Sequence, residues 1–293
     1  GNDLLFGGDG TDALYGDARL ALRGIGGNDT LIAGAEGAGR QVLYGDAFKL
    51  LDGSRGGNDR LGGGQEMAGD GADLQGATGG RDVVDARDVT ARANIRLYGD
   101  GLGTMLDGSR GGDDVLWASA RGARLVGDAV AIRDTSRGGD DELRGDAGAD
   151  VVFGDASEAM TGAARGGDDV LRGRAGDDEL FGDALELRGS SRGGDDQLYS
   201  GAGDDRLWGD GRLFGEAEGG GDVFHFAGAF GDDRVLDFRR GEDKLAFTGL
   251  LPIDVSVDTV GGNTVVATLA GDSVALLDFT GQLTFGKDIL FFG

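Results

Sequence analysis

The residues of this chain best suited to chemistry are aspartates set among glycines. Gly7-Gly8-Asp9-Gly10-Thr11-Asp12-Ala13-Leu14-Tyr15 is a nine-residue unit with a carboxylate at its sixth position and a large apolar residue at its eighth. Shorter copies follow at 26–31, 56–61, 111–116, 138–143, 166–171 and 193–198, each Gly-Gly-x-Asp-x-Leu, and turns carrying Asp150, Asp178 and Asp205 lie between the later ones. Glycine permits backbone angles closed to other residues, so turn carbonyls can converge beside the carboxylate. Six to eight hard oxygens in a flexible arrangement suit calcium, whereas magnesium demands a stricter octahedron and keeps its water. Zinc would want His or Cys, and the chain has one His and no Cys. The chemistry on offer is therefore calcium binding.

Short strands must position these turns. The dipeptide Gly-Asp recurs at Gly16, Gly45, Gly99, Gly127, Gly154, Gly182 and Gly209, with a degenerate copy at Gly69-Asp70, which gives a coil of about 27 residues. In a strand x-Leu-x one side chain points inward. Leu14, Leu31, Leu61, Leu116, Leu143, Leu171, Leu180, Leu198 and Leu207 are expected to stack as the core, since one repeat cannot bury its own apolar face. Two nonapeptides leave a third part of each coil unexplained. The extensions 48–55, 102–110, 130–137, 157–165 and 185–192 each end in Arg before Gly-Gly and carry a mid-loop apolar residue, read as Leu51, Leu106, Ile132, Met160 and Leu187. A ladder of these would add a third stacked layer.

The bulk numbers exclude other classes. Among 293 residues are 63 Gly and one Pro, and the net charge is −25. So acidic a chain repels phosphate backbones, which argues against nucleic acid as a partner. No stretch reaches the roughly 20 apolar residues that span a bilayer. Without metal, stacked turns would crowd like charges while the Gly-rich chain loses much conformational entropy on ordering. A divalent ion offsets both costs, so binding and folding are expected to be one event. About twelve such ions would cancel the formal charge.

The pattern G-G-x-G-x-D-x-U-x, as it stands at 7–15 and in its copies, resembles the repeats-in-toxin (RTX) hemolysin-type family. The resemblance implies a right-handed parallel β-roll, all-β and helix-like in its winding, with calcium between successive turns. Carried over to this sequence, the implied ligands are Asp12, Asp29, Asp59, Asp114, Asp141, Asp150, Asp169, Asp178, Asp196 and Asp205. The Gly-Asp-Ala turns depart from the family pattern, with Asp17, Asp46, Asp128, Asp155 and Asp183 where Gly is usual. Two readings stay open for them: extra ligands, or partners of the loop arginines. Residues 62–95 also break the spacing, which puts calcium sites there in doubt. Residues 1–219 are read as the roll. Residues 220–293, with an apolar ending Ile289-Leu290-Phe291-Phe292, resemble the capping and type I export segment of the family. The chain is expected to begin inside a longer parent, to be secreted or carried on the cell surface, and to meet calcium ions, the type I secretion apparatus and an upstream effector domain.

No catalytic constellation is expected. Gly189-Ser190-Ser191-Arg192-Gly193 fits a nucleophile elbow only if a strand-turn-helix and a His base accompany it, and the lone His225 reads as a packed strand residue. Asn28-Asp29-Thr30 fits a glycosylation sequon, but its Asp is needed in a repeat turn. The rival to a calcium-folded module is a surface adhesion or surface-layer module whose loops bind a sugar or protein. An exposed, continuous apolar patch on the loops would favour the rival.

Overall fold

The structure, a computed structural model, describes residues 1–34, 39–89 and 94–293. It is an all-β solenoid of about eight turns in which successive coils stack by parallel pairing. Each coil contributes up to three strands, and like strands build three sheets. The first sheet runs from Leu4–Phe6 through Thr30–Ile32, Val115–Trp117 and Glu142–Arg144 to Ile289–Phe292. The second starts at Asp12–Tyr15 and passes through Gln41–Tyr44, Ala123–Val126 and Arg206–Trp208. The third runs from Lys49–Leu50 to Arg212–Gly215.

Register explains why so sparse an apolar sequence folds. Leu31, Leu61, Val84, Leu116, Leu143, Leu171, Leu198, Phe224, Leu245 and Ile289 pair in line along the first sheet. Leu43, Met67, Leu97, Leu125, Val152, Leu180 and Leu207 do the same along the second. All are fully buried in one cluster between the two sheets. The expected leucine ladder is the core except for Leu14, which packs half-buried against its end, and Val, Met, Phe and Ile complete it at coils where Leu is absent.

The extensions form the third sheet, as their common length and offsets predict. Its apolar column is Leu50, Leu74, Met105, Ile132, Met160 and Leu187, all fully buried. The inward residues of the extensions 48–55 and 102–110 are thus Leu50 and Met105, and Leu51 and Leu106 stand beside them, half-buried. Alternation along a strand makes a one-residue offset the difference between core and surface. The arginines that end the extensions also align, Arg110 to Arg137 to Arg165 to Arg192, on the exposed side.

Beyond Gly215 the third sheet stops, while the first two continue. Val223–Ala227 and Lys244–Thr248 extend the first sheet, and Phe224, Phe226, Phe230 and Phe247 fill the last layers. An antiparallel hairpin, Val255–Val260 with Asn263–Thr268, folds onto Ser273–Leu276 and ends the second sheet. Among the described residues no helix is long and apolar enough to cross a membrane.

Candidate metal centre

The site is built where the third-sheet excursion leaves and rejoins the other two sheets. A strand of the second sheet ends in Gly-Asp, the excursion follows, and the chain returns through Gly-Gly-x-Asp into the next strand of the first sheet. Two aspartates per coil thus face each other across a neck, one leaving and one returning.

The returning aspartates form an unbroken column: Asp29, Asp59, Asp82, Asp114, Asp141, Asp169, Asp196 and Asp222. The backbone N–H of each donates to Oδ1 of the next, for instance Asp114 to Asp141 and Asp141 to Asp169, both at 2.7 Å. These carboxylates are at most 2 % exposed, and Oδ2 of every one has no hydrogen-bond partner. The orphan oxygen faces the glycine that ends a second-sheet strand. A methyl group on Gly127 would overlap both Oδ2 of Asp141 and the carbonyl oxygen of Gly154. Two oxygens from different coils therefore border one small space that only glycine leaves free.

The leaving aspartates form the second column: Asp46, Asp70, Asp100, Asp128, Asp155, Asp183 and Asp210, all at most 2 % exposed. Each accepts the N–H of the second glycine on the return arm, as Asp155 does from Gly167 at 2.9 Å and Asp183 from Gly194 at 2.8 Å. Oδ2 of Asp128, Asp155 and Asp183 is again without a partner.

A third column lies at the opposite turn, between the first and second sheets. Here Asp150, Asp178, Asp205 and Asp233 follow the same rule, N–H to Oδ1 at 2.7 to 2.9 Å, and are buried. Oδ2 of Asp178, Asp205 and Asp233 is orphaned, whereas that of Asp150 takes the N–H of Asp146 at 3.0 Å. Toward the N-terminus the column is interrupted. Asp12 pairs in register with Gln41, and further on Ile95 and Ala123 stand where Asp would be. Gln41 is buried and donates its amide to the Gly10 carbonyl at 2.6 Å. Asp12 thus stands apart from the other residues of its column.

Burial without compensation raises carboxyl pKa values, because the charged form is disfavoured away from water. Burial pushes Asp59, Asp114, Asp178 and Asp233 up to about 8 and Asp222 to about 9. Asp82, Asp128, Asp141, Asp169, Asp183 and Asp196 are raised well above the usual range by burial, then by neighbouring carboxylates. Orphaned oxygens, glycine-lined cradles and an all-oxygen donor set fit a hard divalent cation. At the first coil, carboxylate oxygens of Asp3, Asp17 and Asp29 lie within 4.8 Å of one another.

Sequence reasoning placed Asp29, Asp59, Asp114, Asp141, Asp169 and Asp196 in one set with Asp150, Asp178 and Asp205; the structure divides them between two ends of the coil. It missed Asp82, Asp222 and Asp233. Asp82 falls in the stretch 62–95 where the broken spacing put sites in doubt; of that stretch, 90–93 lie outside the described residues. The coil from Asp59 to Asp82 is 23 residues and the next, to Asp114, is 32, so a short coil and a long one hide a regular stack. The signal that could have found it is Gly79-Gly80-Arg81-Asp82 itself.

The profile of the RTX calcium-binding nonapeptide repeat matches in 4 copies, at residues 1–18, 136–157, 162–184 and 191–211. The chain carries RTX repeats. The three later RTX matches cover three of the coils in which both ends hold Asp, those of Asp141 and Asp150, Asp169 and Asp178, and Asp196 and Asp205. The unmatched stretch between 18 and 136 is where Gln41, Ile95 and Ala123 replace it. No curated protein matches the chain. The RTX repeats make it a calcium-binding module.

Proposed function

We propose that the module folds on binding calcium after type I export, and so works outside the cell or at its surface as a folding and secretion element for an upstream domain. The ligands are the ten aspartates of the sequence reading, joined by Asp82, Asp222 and Asp233. The observation that carries this is the run of buried, orphaned Oδ2 atoms from Asp29 to Asp222. An uncompensated buried carboxylate costs several kcal/mol, and a stack of them would hold the chain open at neutral pH until cations supply the missing charge. Calcium supplies two positive charges and satisfies several oxygens at once. Extracellular sites of this modular kind bind at roughly 10⁻⁴ to 10⁻³ M, which separates a low-calcium cytosol from the exterior.

Residues 1–219 hold all of these ligands but Asp222 and Asp233, and 220–293 supply those two, close the last layers and carry the export signal. The rival, an adhesion surface, needs exposed apolar loop residues. Burial of Leu50, Leu74, Met105, Ile132, Met160 and Leu187 counts against it. The non-enzymatic reading is supported by His225, whose Nε2 is 2.7 Å from Oε1 of Gln197 while its ring stacks on Tyr199. Burial, then Arg172, lowers its pKa to about 4, so it is neutral and packed. Far-UV circular dichroism of the chain during calcium titration, with magnesium as control, tests the proposal. A cooperative coil-to-β transition in calcium alone is expected. A full β spectrum in chelator at neutral pH would overturn it.

A further inference from the structure

The Gly-Asp aspartates have no role in the repeat signature, yet they are buried as deeply as any ligand. We propose that the neck is a metal channel in which each coil supplies two carboxylates, one from each column, and holds one divalent cation. This rests on the calcium-binding reading above and adds Asp46, Asp70, Asp100, Asp128, Asp155 and Asp183 as ligands, whereas Asp210, in the last coil of the column, pairs with Arg239 at 2.7 Å.

Three observations carry it. Asp128, Asp155 and Asp183 are fully buried, each using Oδ1 on a glycine N–H of the return arm, and each leaving Oδ2 without a partner. Those oxygens point into shared space: a methyl group on Gly138 would overlap Oδ1 of Asp155 and Oδ2 of Asp128, which belong to successive coils. On the other wall, Gly127 faces the orphan Oδ2 of Asp141 and the Gly154 carbonyl. Oxygens of both columns therefore open onto the neck, and among the described residues no ion pair reaches Asp128, Asp155 or Asp183; Arg192, among the loop arginines, pairs with Glu218 at 3.1 Å.

Charge decides the stoichiometry. Two carboxylates per coil against one divalent ion leave the buried channel neutral, which a low-dielectric interior requires. The opposite turn offers one carboxylate per coil, so an ion there keeps a net charge. The third sheet, with Ile132, Met160 and Leu187 fully buried beneath it, covers one side of the neck, while exposed Asp113, Asp140 and Asp168 border the other as Asp177 and Asp204 border the opposite turn. A neck ion is held by two carboxylates against one at the opposite turn, and so leaves more slowly.

The test is rapid mixing of the calcium-loaded full chain with a fluorescent chelator, alongside a metal count after gel filtration. Two release phases are expected, the slow one with an amplitude of about one ion per neck coil. Asp155→Asn keeps an oxygen for the Gly167 N–H but removes charge, and should delete about one slow ion and leave the fast phase intact. Asp178→Asn, in the opposite column, should reduce the fast phase alone. Asp46→Asn, near the end of the stack, is the companion variant should Asp155→Asn fail to reach the β spectrum in saturating calcium. An unchanged ion count and slow amplitude in whichever of the two variants folds would overturn the channel. A wild-type chain that binds no calcium would instead overturn the calcium reading itself.

Discussion

At the neck, every coil from Asp29 to Asp222 places an aspartate in the column. At the opposite turn acid appears at Asp12, gives way to Gln41, Ile95 and Ala123, and returns at Asp150. The difference follows from what surrounds each end. The opposite turn opens onto the main apolar core, and a residue at the strand start there can join it: Ile95 is 1 % exposed and belongs to that cluster. An amide serves too, since Gln41 satisfies a turn carbonyl directly. The neck has no such substitute. It separates the core of the first two sheets from that of the third, and its walls are glycine Cα atoms, carbonyls and carboxylates. No side chain larger than hydrogen fits at Gly127 or Gly138. Acid is replaceable where the core is adjacent and recurs in every coil where polar backbone lines both walls.

The largest expected effect that probes this contrast is that of protons without metal. Asp59, Asp114, Asp178, Asp222 and Asp233 have folded-state pKa values of about 8 or 9 against an ordinary 3.8. The folded chain then binds more protons than the unfolded chain between about pH 4 and pH 8, and stability falls as pH rises through that window. In chelator, β signal should return on acidification from about pH 8 to about pH 5, because protonation removes the same repulsion that calcium does. With calcium present the trend reverses, since protons compete for the ligands. Strand-resolved hydrogen exchange sharpens the comparison: in the coils between 19 and 135, where the opposite column lacks Asp, acid protection must come from the neck alone. Loss of β signal on acidification in chelator would contradict the whole scheme.

Single substitutions come next. In saturating calcium, Asp169→Ala at the neck should cost about 3–5 kcal/mol, the usual result of removing one member of a buried charge set. Asp178→Ala at the opposite turn should cost about 1–3 kcal/mol, nearer the loss of one buried hydrogen-bonding group. In chelator the sign inverts: Asp169→Asn removes a like charge from the stack and favours the folded state. Denaturant unfolding under both conditions measures each. Equal costs at the two ends would erase the distinction drawn between them. Asp82→Ala should behave as a neck substitution despite its irregular spacing.

Much of this was legible in the sequence. The leucine ladder, the third layer and most of the acidic positions follow from periodicity, because a strand's alternation and a coil's length are local properties. Three things were not. The core members of the early extensions are Leu50 and Met105, beside the equally apolar Leu51 and Leu106, and nothing local says which of two adjacent residues faces in. Asp82 is concealed by a 23-residue coil followed by one of 32, whose irregularities cancel only in three dimensions. That the Gly-Asp carboxylates face the returning column depends on where the excursion begins and ends in space. Repeat position identifies an aspartate; only the stack shows what stands opposite it.

The smallest expected effect concerns the exposed arginines. Arg137 lies in register between Arg110 and Arg165, so its neighbours one strand spacing away, about 4.8 Å, carry the same charge. Like charges directly opposite on a sheet are mildly destabilising, and exposure lets water and salt screen them. Arg137→Ala should therefore change stability by less than about 0.5 kcal/mol, toward stabilisation, and the change should shrink as salt rises. This quiet position tests the neck indirectly. Were the arginines the true counter-ions of the Gly-Asp carboxylates, removing Arg137 would strip compensation from a buried charge and cost several times as much. A destabilisation above about 1 kcal/mol that vanishes in chelator would move the second column from the metal to the arginines. A near-zero effect leaves the cation as the partner those oxygens require.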